Sequence, residues 1–142
     1  MKTLNIMIAA VFLMATAPAH AGAAVCYGTE ETPQGRDTDA EYFARWSGSG
    51  HGRAAERVAR QDWAAKYRGN PSCTSSQDLE SGYLVIIEAH TRAYTDETVV
   101  TMAAGFGRTA DEAEDEAVAE LGRRNWSWKQ RDGYTTIFDK RF

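Results

Sequence analysis

Past residue 21 the chain holds two histidines, His51 and His90. Imidazole is the side chain that exchanges protons most readily near neutral pH. Shared acid–base work needs both rings within reach of one reacting atom. His51 stands in the glycine-rich stretch Ser47-Gly-Ser-Gly-His-Gly52, and His90 closes a long apolar run. The element order derived below sets those positions apart, so a minimal hydrolase built on either histidine with nearby carboxylates is a remote third reading. The glycine-rich stretch also precedes a helical pattern, and a helix N-terminus offers free N–H groups to an anion. Gly48, Gly50, His51 and Arg53 are therefore a candidate anion-binding turn, although the GxxxxGK[ST] pattern of a phosphate-binding loop is missing.

Other chemistry does not assemble. HExxH, paired CxxC and the EF-hand loop do not occur in the sequence, so neither a metal nor a cofactor is expected. GxSxG, Ser-x-x-Lys and a neighbouring Cys–His pair are likewise missing from it. The sequence reads as non-enzymatic.

The most unusual composition lies near the end, in Arg123-Arg-Asn-Trp-Ser-Trp-Lys-Gln-Arg-Asp-Gly-Tyr134. Tryptophan, tyrosine and arginine are the residue types enriched in binding hot spots. Trp126, Trp128, Arg124, Lys129 and Arg131 are the candidate partner-binding residues. Trp126 and Trp128 are not both expected to face inward from this connection. One tryptophan is thus expected to close the core and the other to be available for contact. Basic and aromatic interleaving also suits single-stranded nucleic acid. The balance of 16 Lys+Arg against 20 Asp+Glu, a formal charge of −4, argues against that partner.

The elements that must position these residues begin after a leader. Met1–Ala21 has Lys2, then an apolar run of about 14 residues, too short for a span of roughly 20. Ala19-His20-Ala21 is a small-x-small cleavage pattern. A signal peptide over 1–21 is expected, with a periplasmic or secreted product and no membrane association after cleavage. Cys26 and Cys73 are then an even pair in an oxidising compartment, which reads as one disulfide. It would close a ring of about 48 residues and stabilise the fold by about 4 kcal/mol.

The rest of the 142-residue chain is sized for one domain. Residues 22–39 lack apolar periodicity and read as an extended arm. Residues 40–142 read as one α+β domain of two βαβ repeats, 40–90 and 97–141. In the first, Glu41–Trp46 reads as a strand, Arg53–Arg68 has helical spacing with Ala55, Ala59 and Trp63 four apart, and Ser81–His90 reads as a strand. In the second, Thr98–Ala103 is the strand, Gly105-Phe-Gly107 the turn, and Thr109 with Glu112 a capping box. Ala113, Ala117 and Leu121 form the helical stripe, and Asp132–Arg141 the closing strand. Tyr94-Thr-Asp-Glu97 makes a hairpin between the repeats. The order β-α-β-β-α-β predicts a ferredoxin-like two-layer sandwich, with a dodecin-like or swapped dimer as the alternative. Both helices would share a sheet face, setting the basic Arg53, Arg57, Arg60, Lys66 and Arg68 beside the acidic Asp111, Glu112, Glu114, Asp115, Glu116 and Glu120.

The run Tyr83–Ile87 is apolar on both alternations, so the second sheet face needs a cover. The arm, a second copy of the chain, or a partner would serve. The functional reading is an exported binding protein, most concretely a periplasmic inhibitor or immunity-type protein that blocks an enzyme or toxin. The alternative is an oligomeric small-ligand-binding or envelope stress-response domain, with a homodimer through the open sheet face.

Overall fold

The protein is described here from a computed structural model. The structure describes residues 21–37 and 40–142. All of the expected leader but Ala21, and residues 38–39, lie outside the described residues. In chain order the elements are β1 (Ala21–Gly28), a small ribbon of β2 (Glu31–Thr32) and β3 (Gly35–Arg36), β4 (Tyr42–Ser49), α1 (Gly52–Lys66) and β5 (Ser72–Ser75). There follow β6 (Tyr83–Arg92), β7 (Thr98–Gly107), α2 (Ala110–Arg124), a single 3-10 turn (Gln130–Asp132) and β8 (Thr135–Arg141).

The α+β class holds, but the strands form two three-stranded antiparallel sheets rather than one four-stranded sheet. Their orders are β4-β1-β5 and β7-β6-β8. In each, the first strand of the unit lies in the middle. The outer strands run antiparallel to it, and so parallel to each other, and the helix carries the chain from one to the other. This is a split βαβ with the inserted strand placed first in sequence. Gly82-Tyr-Leu-Val-Ile-Ile-Glu88 therefore opens the second unit as its central strand. Closure of the first unit falls to β5, a four-residue strand whose sequence Ser-Cys-Thr-Ser carries no apolar signal.

The residues 22–28 read as an arm are the middle of sheet 1. Ala23, Ala24, Val25, Cys26 and Tyr27 are all buried. Their alternation serves two layers. Ala24 and Cys26 pack with Ala44 against Ala55, Ala59 and Trp63 of α1. Val25 and Tyr27 pack with Leu84, Ile86 and Ala104 of sheet 2. On sheet 2, Val85, Ile87 and Ala89 pack against Ala113, Ala117 and Leu121 of α2. The layers are thus α1, sheet 1, sheet 2, α2. A central strand buried on both faces explains the doubly apolar Tyr83–Ile87 run. The cover for its second face is sheet 1, built around the residues read as the arm, which removes the motive for a homodimer through that face. The helices lie on opposite outer faces, so their basic and acidic surfaces do not meet.

The helices form where their spacing requires. Every fourth residue on α1 and α2 is small or apolar and buried. Thr109 Oγ1 accepts from the Glu112 N–H at 3.1 Å, and Glu112 reaches back to the Arg108 N–H at 2.9 Å. The Gly105-Phe-Gly107 segment is strand, not turn. A Cβ on Gly105 would lie 2.0 Å from the Ala113 carbonyl oxygen, so glycine there lets α2 sit directly on the sheet. Cys26 and Cys73 are register partners across β1 and β5 and are joined by a disulfide. The bridge staples two adjacent strands of one sheet.

Candidate functional site

The aromatic–basic stretch is organised by Asn125, which follows α2 and is buried. Its Nδ2 donates to Thr91 Oγ1 at 3.0 Å and Thr101 Oγ1 at 3.1 Å, tying it to β6 and β7. Its Oδ1 accepts from the Ser127 N–H, the Ser127 hydroxyl and the Trp128 N–H. One amide thus fixes the backbone through residue 128. The loop direction that results separates the two tryptophans. Trp128 is 7% exposed and packs in the α2–sheet 2 core, with its indole N–H donating to the Gly133 carbonyl at 2.9 Å. Trp126 is 72% exposed, and its carbonyl is held by Lys129 Nζ at 3.0 Å.

A second exposed ring lies beside it. Tyr94, at the tip of the β6–β7 hairpin, is 97% exposed. The tip is fixed by the Ala93 N–H to the Glu97 carbonyl at 2.9 Å and by Asp96 at φ 61°, a three-residue hairpin loop with a left-handed third residue. Trp126 and Tyr94 both line two hollows of about 280 and 360 Å³. Arg92 lines both with them and Lys129 lines the larger, while no aspartate or glutamate lines either. The surface is aromatic and cationic.

Arg124 also lines the smaller hollow, but its guanidinium is engaged within the protein. Its Nη2 pairs with Glu41 Oε1 at 2.5 Å, its Nε donates to the Met102 carbonyl at 2.8 Å, and its guanidinium lies 4.2 Å from the centre of the Tyr27 ring. Glu41 Oε2 in turn accepts from the Met102 N–H. The pair thereby occupies both backbone groups of Met102, on the edge of β7 away from β6, and plugs an edge that another strand could otherwise join. Burial pushes the Glu41 carboxyl above its ordinary range, against the pull of Arg124 and the Met102 N–H. Burial likewise pushes the Tyr27 phenol up to about 12, although Arg124 pulls it down. The polar cleft at this junction, about 390 Å³, is also lined by Glu31, Arg36 and Asn70. Arg131 is exposed on the 3-10 turn, whose start is closed by the Lys129 N–H donating to Asp132 Oδ2 at 2.7 Å.

The expected anion-binding turn is not an open cradle. His51 caps α1 without a side-chain hydrogen bond, and the Gly52 N–H is taken by the Gln77 carbonyl at 3.3 Å. The Gln77 backbone also lies over Gly52, 2.4 Å from where a Cβ would stand. Gly48 lies under the Trp46 ring, and Arg53 is exposed. His90 forms a contact with Glu88, Nε2 to Oε1 at 2.7 Å, on the far end of β6 from Gly82. The sequence reading passed over Tyr94, Arg92 and Asn125. Tyr94 carried a signal, a large aromatic at a hairpin tip where no core is near. Asn125 carried none, since its role depends on Thr91 and Thr101 from other elements.

Comparison of the chain with protein-family models, with curated proteins and with solved structures gives no match.

Proposed function

We propose that the protein is an exported, non-enzymatic binding protein that holds a protein partner through Trp126 and Tyr94, in the manner of a periplasmic inhibitor or immunity-type protein. The observation that carries this reading is the pair of large rings left in solvent on rigidly held supports. Burying an aromatic side chain of 150–250 Å² is a principal source of interface energy, and pre-ordering it lowers the entropic cost of binding. Asn125 and the hairpin hydrogen bonds supply that order. Arg92 and Lys129 beside the rings fit a partner that presents an apolar pocket with an acidic rim. The Cys26–Cys73 bridge supports an oxidising compartment, and among the described residues no helix is long and apolar enough to cross a membrane.

The test uses the oxidised protein as bait against periplasmic and culture fractions, with Trp126→Ala and Tyr94→Ala as paired baits. A stoichiometric partner held by the parent and lost by both variants, with unchanged melting curves, is the expected result. Equal recovery by all three baits would remove the surface assignment. Trp128→Ala is unsuitable here, because it damages the core.

A further inference from the structure

We propose that the groove between the edge strands β4 and β8 binds a small anion with an apolar tail, such as a free medium-chain fatty carboxylate. This goes beyond the protein-partner reading and involves none of its residues. The groove is the place where the apolar layer between the two sheets opens to solvent. Leu84 and Ile86 face that layer, and their register partners on β8 are Lys140 and Phe138. Arg45 pairs in register with Val25, which also faces the layer. Arg45 therefore meets β8 across the opening, with its guanidinium 4.1 Å from the centre of the Phe138 ring.

The opening has two chemically distinct parts. Its floor is Leu84, Phe138 and Phe142, a continuation of the core. Its rim carries Arg45 and Lys140; Arg141 also borders it, but its guanidinium lies 5.7 Å from the centre of the Tyr83 ring, on the α2 side of the sheet. Neither Arg45 nor Lys140 forms an ion pair among the described residues, and no aspartate or glutamate lines the groove. That is unusual for a chain of net charge −4. Two like charges at one hollow repel each other, and an anion placed between them would relieve the repulsion. Arg45 is already positioned by its stacking on Phe138, which leaves the guanidinium edge free for the paired N–H bonds that a carboxylate accepts. The register shift in β8 contributes as well. Ile86 pairs with Phe138 and Ile87 with Thr136, so Ile137 is an extra residue. The bulge lets both Ile137 and Phe138 pack toward the inter-sheet layer.

Size narrows the ligand. The volume is about 290 Å³, at the low end for small-molecule sites. It fits one short tail rather than the two chains of a bilayer phospholipid. A head group at Lys140 and Arg45 would place the tail against Leu84 and Phe142.

The test is titration of the isotope-labelled oxidised protein with decanoate, followed by amide chemical shifts. Decyltrimethylammonium and decanol serve as charge controls, and phosphatidylglycerol vesicles as a membrane control. Saturable shifts confined to Arg45, Leu84 and Phe138–Phe142 are expected with decanoate. Arg45 and Lys140 are exposed, so Arg45→Gln with Lys140→Gln should fold normally and weaken decanoate by at least about tenfold. The proposal is overturned by an affinity unchanged within about twofold in that double variant, by equal binding of the cation or the alcohol, or by the absence of saturable shifts. Binding to vesicles without binding to decanoate would overturn it too, and would assign the cations to a membrane surface.

Discussion

Replacing Trp128 and Trp126 separately by alanine tests the central structural claim about the aromatic stretch. The two residues are identical in type and two positions apart, yet their expected costs differ by several kcal/mol. Trp128 packs among Val85, Ile87, Ala103, Ala117 and Leu121 and is 7% exposed. Its truncation removes that packing and leaves a void that α2 cannot fill while it rests on Gly105. The tabulated range for a buried aromatic is about 3–5 kcal/mol. Loss of the indole bond to Gly133 adds little, because Gly133 is exposed and water can replace the donor. Trp126 is 72% exposed and offers no packing of comparable size, so its truncation should fall within about 0.5 kcal/mol of the parent. Small domains are stable by about 5–15 kcal/mol, so the Trp128 variant forfeits about a fifth of its stability or more. Urea unfolding of the oxidised protein, followed by far-ultraviolet circular dichroism, reads both values from midpoints at a common slope. A loss above about 2 kcal/mol for Trp126→Ala, or below about 1 kcal/mol for Trp128→Ala, would refute the assignment of inside and outside.

Arg124→Met should cost about 3–5 kcal/mol, because it leaves Glu41 charged and buried without its partner; the additional change Glu41→Leu should recover part of the loss, and urea midpoints of the single and double variants check both. Glu41 has its carboxyl raised by burial, so the native state binds its proton more tightly than the unfolded chain does. Its contribution to stability is therefore full below its ordinary value of 4.5 and is lost as pH rises through the raised value. Glu41→Gln should flatten that part of the stability–pH curve, measured by urea unfolding at stepped pH. Gly105→Ala should destabilise by about 1–3 kcal/mol through displacement of α2, whereas Gly122→Ala, where a Cβ meets nothing within 4 Å, should stabilise by up to about 1 kcal/mol; melting temperatures of opposite shift check the pair. Cys26→Ala with Cys73→Ala should lose about 2–5 kcal/mol, and a melt unchanged from that of the oxidised parent would show that the strand pairing of β1 and β5 holds without the staple.

The helices were legible because each buries one stripe, and a single stripe leaves a period in the sequence. Ala55, Ala59 and Trp63 match Ala113, Ala117 and Leu121 at one offset, and both sets are buried. The β6–β7 hairpin was legible for a similar reason, a turn signal between two apolar runs. β1 was not. It is buried on both faces, so Ala23-Ala24-Val25-Cys26-Tyr27 has no alternation to read, and its small residues resemble the end of a leader. They are small because α1 packs closely on one side. β5 failed for a different reason. It is a short strand placed by the Cys26–Cys73 bridge and by pairing with β1, with little apolar content of its own. With both strands missed, the apolar run of β6 was assigned to the first unit, and a single four-stranded sheet followed from that one error.

The candidate site was legible in composition but not in arrangement. Five residues of one segment were grouped because they are aromatic or basic, and the fold distributes them by what surrounds each one. Arg124 has its guanidinium drawn to the sheet because Met102 sits at an unpaired edge, and a guanidinium with a carboxylate can satisfy both of its backbone groups. Trp128 leaves the group because Asn125 turns the chain inward at that point. Tyr94 joins it from a hairpin more than thirty residues away. None of these decisions is local: each depends on a neighbour brought close by sheet order. Long polar side chains that plug an edge and aromatic rings that remain in water are both drawn from the same residue types, and composition cannot tell them apart. What separates them is whether a backbone group nearby lacks a partner. Met102 does, and it captures Arg124. At Trp126 the carbonyl is already held by Lys129 and the next N–H by Asn125, and the ring stays in solvent.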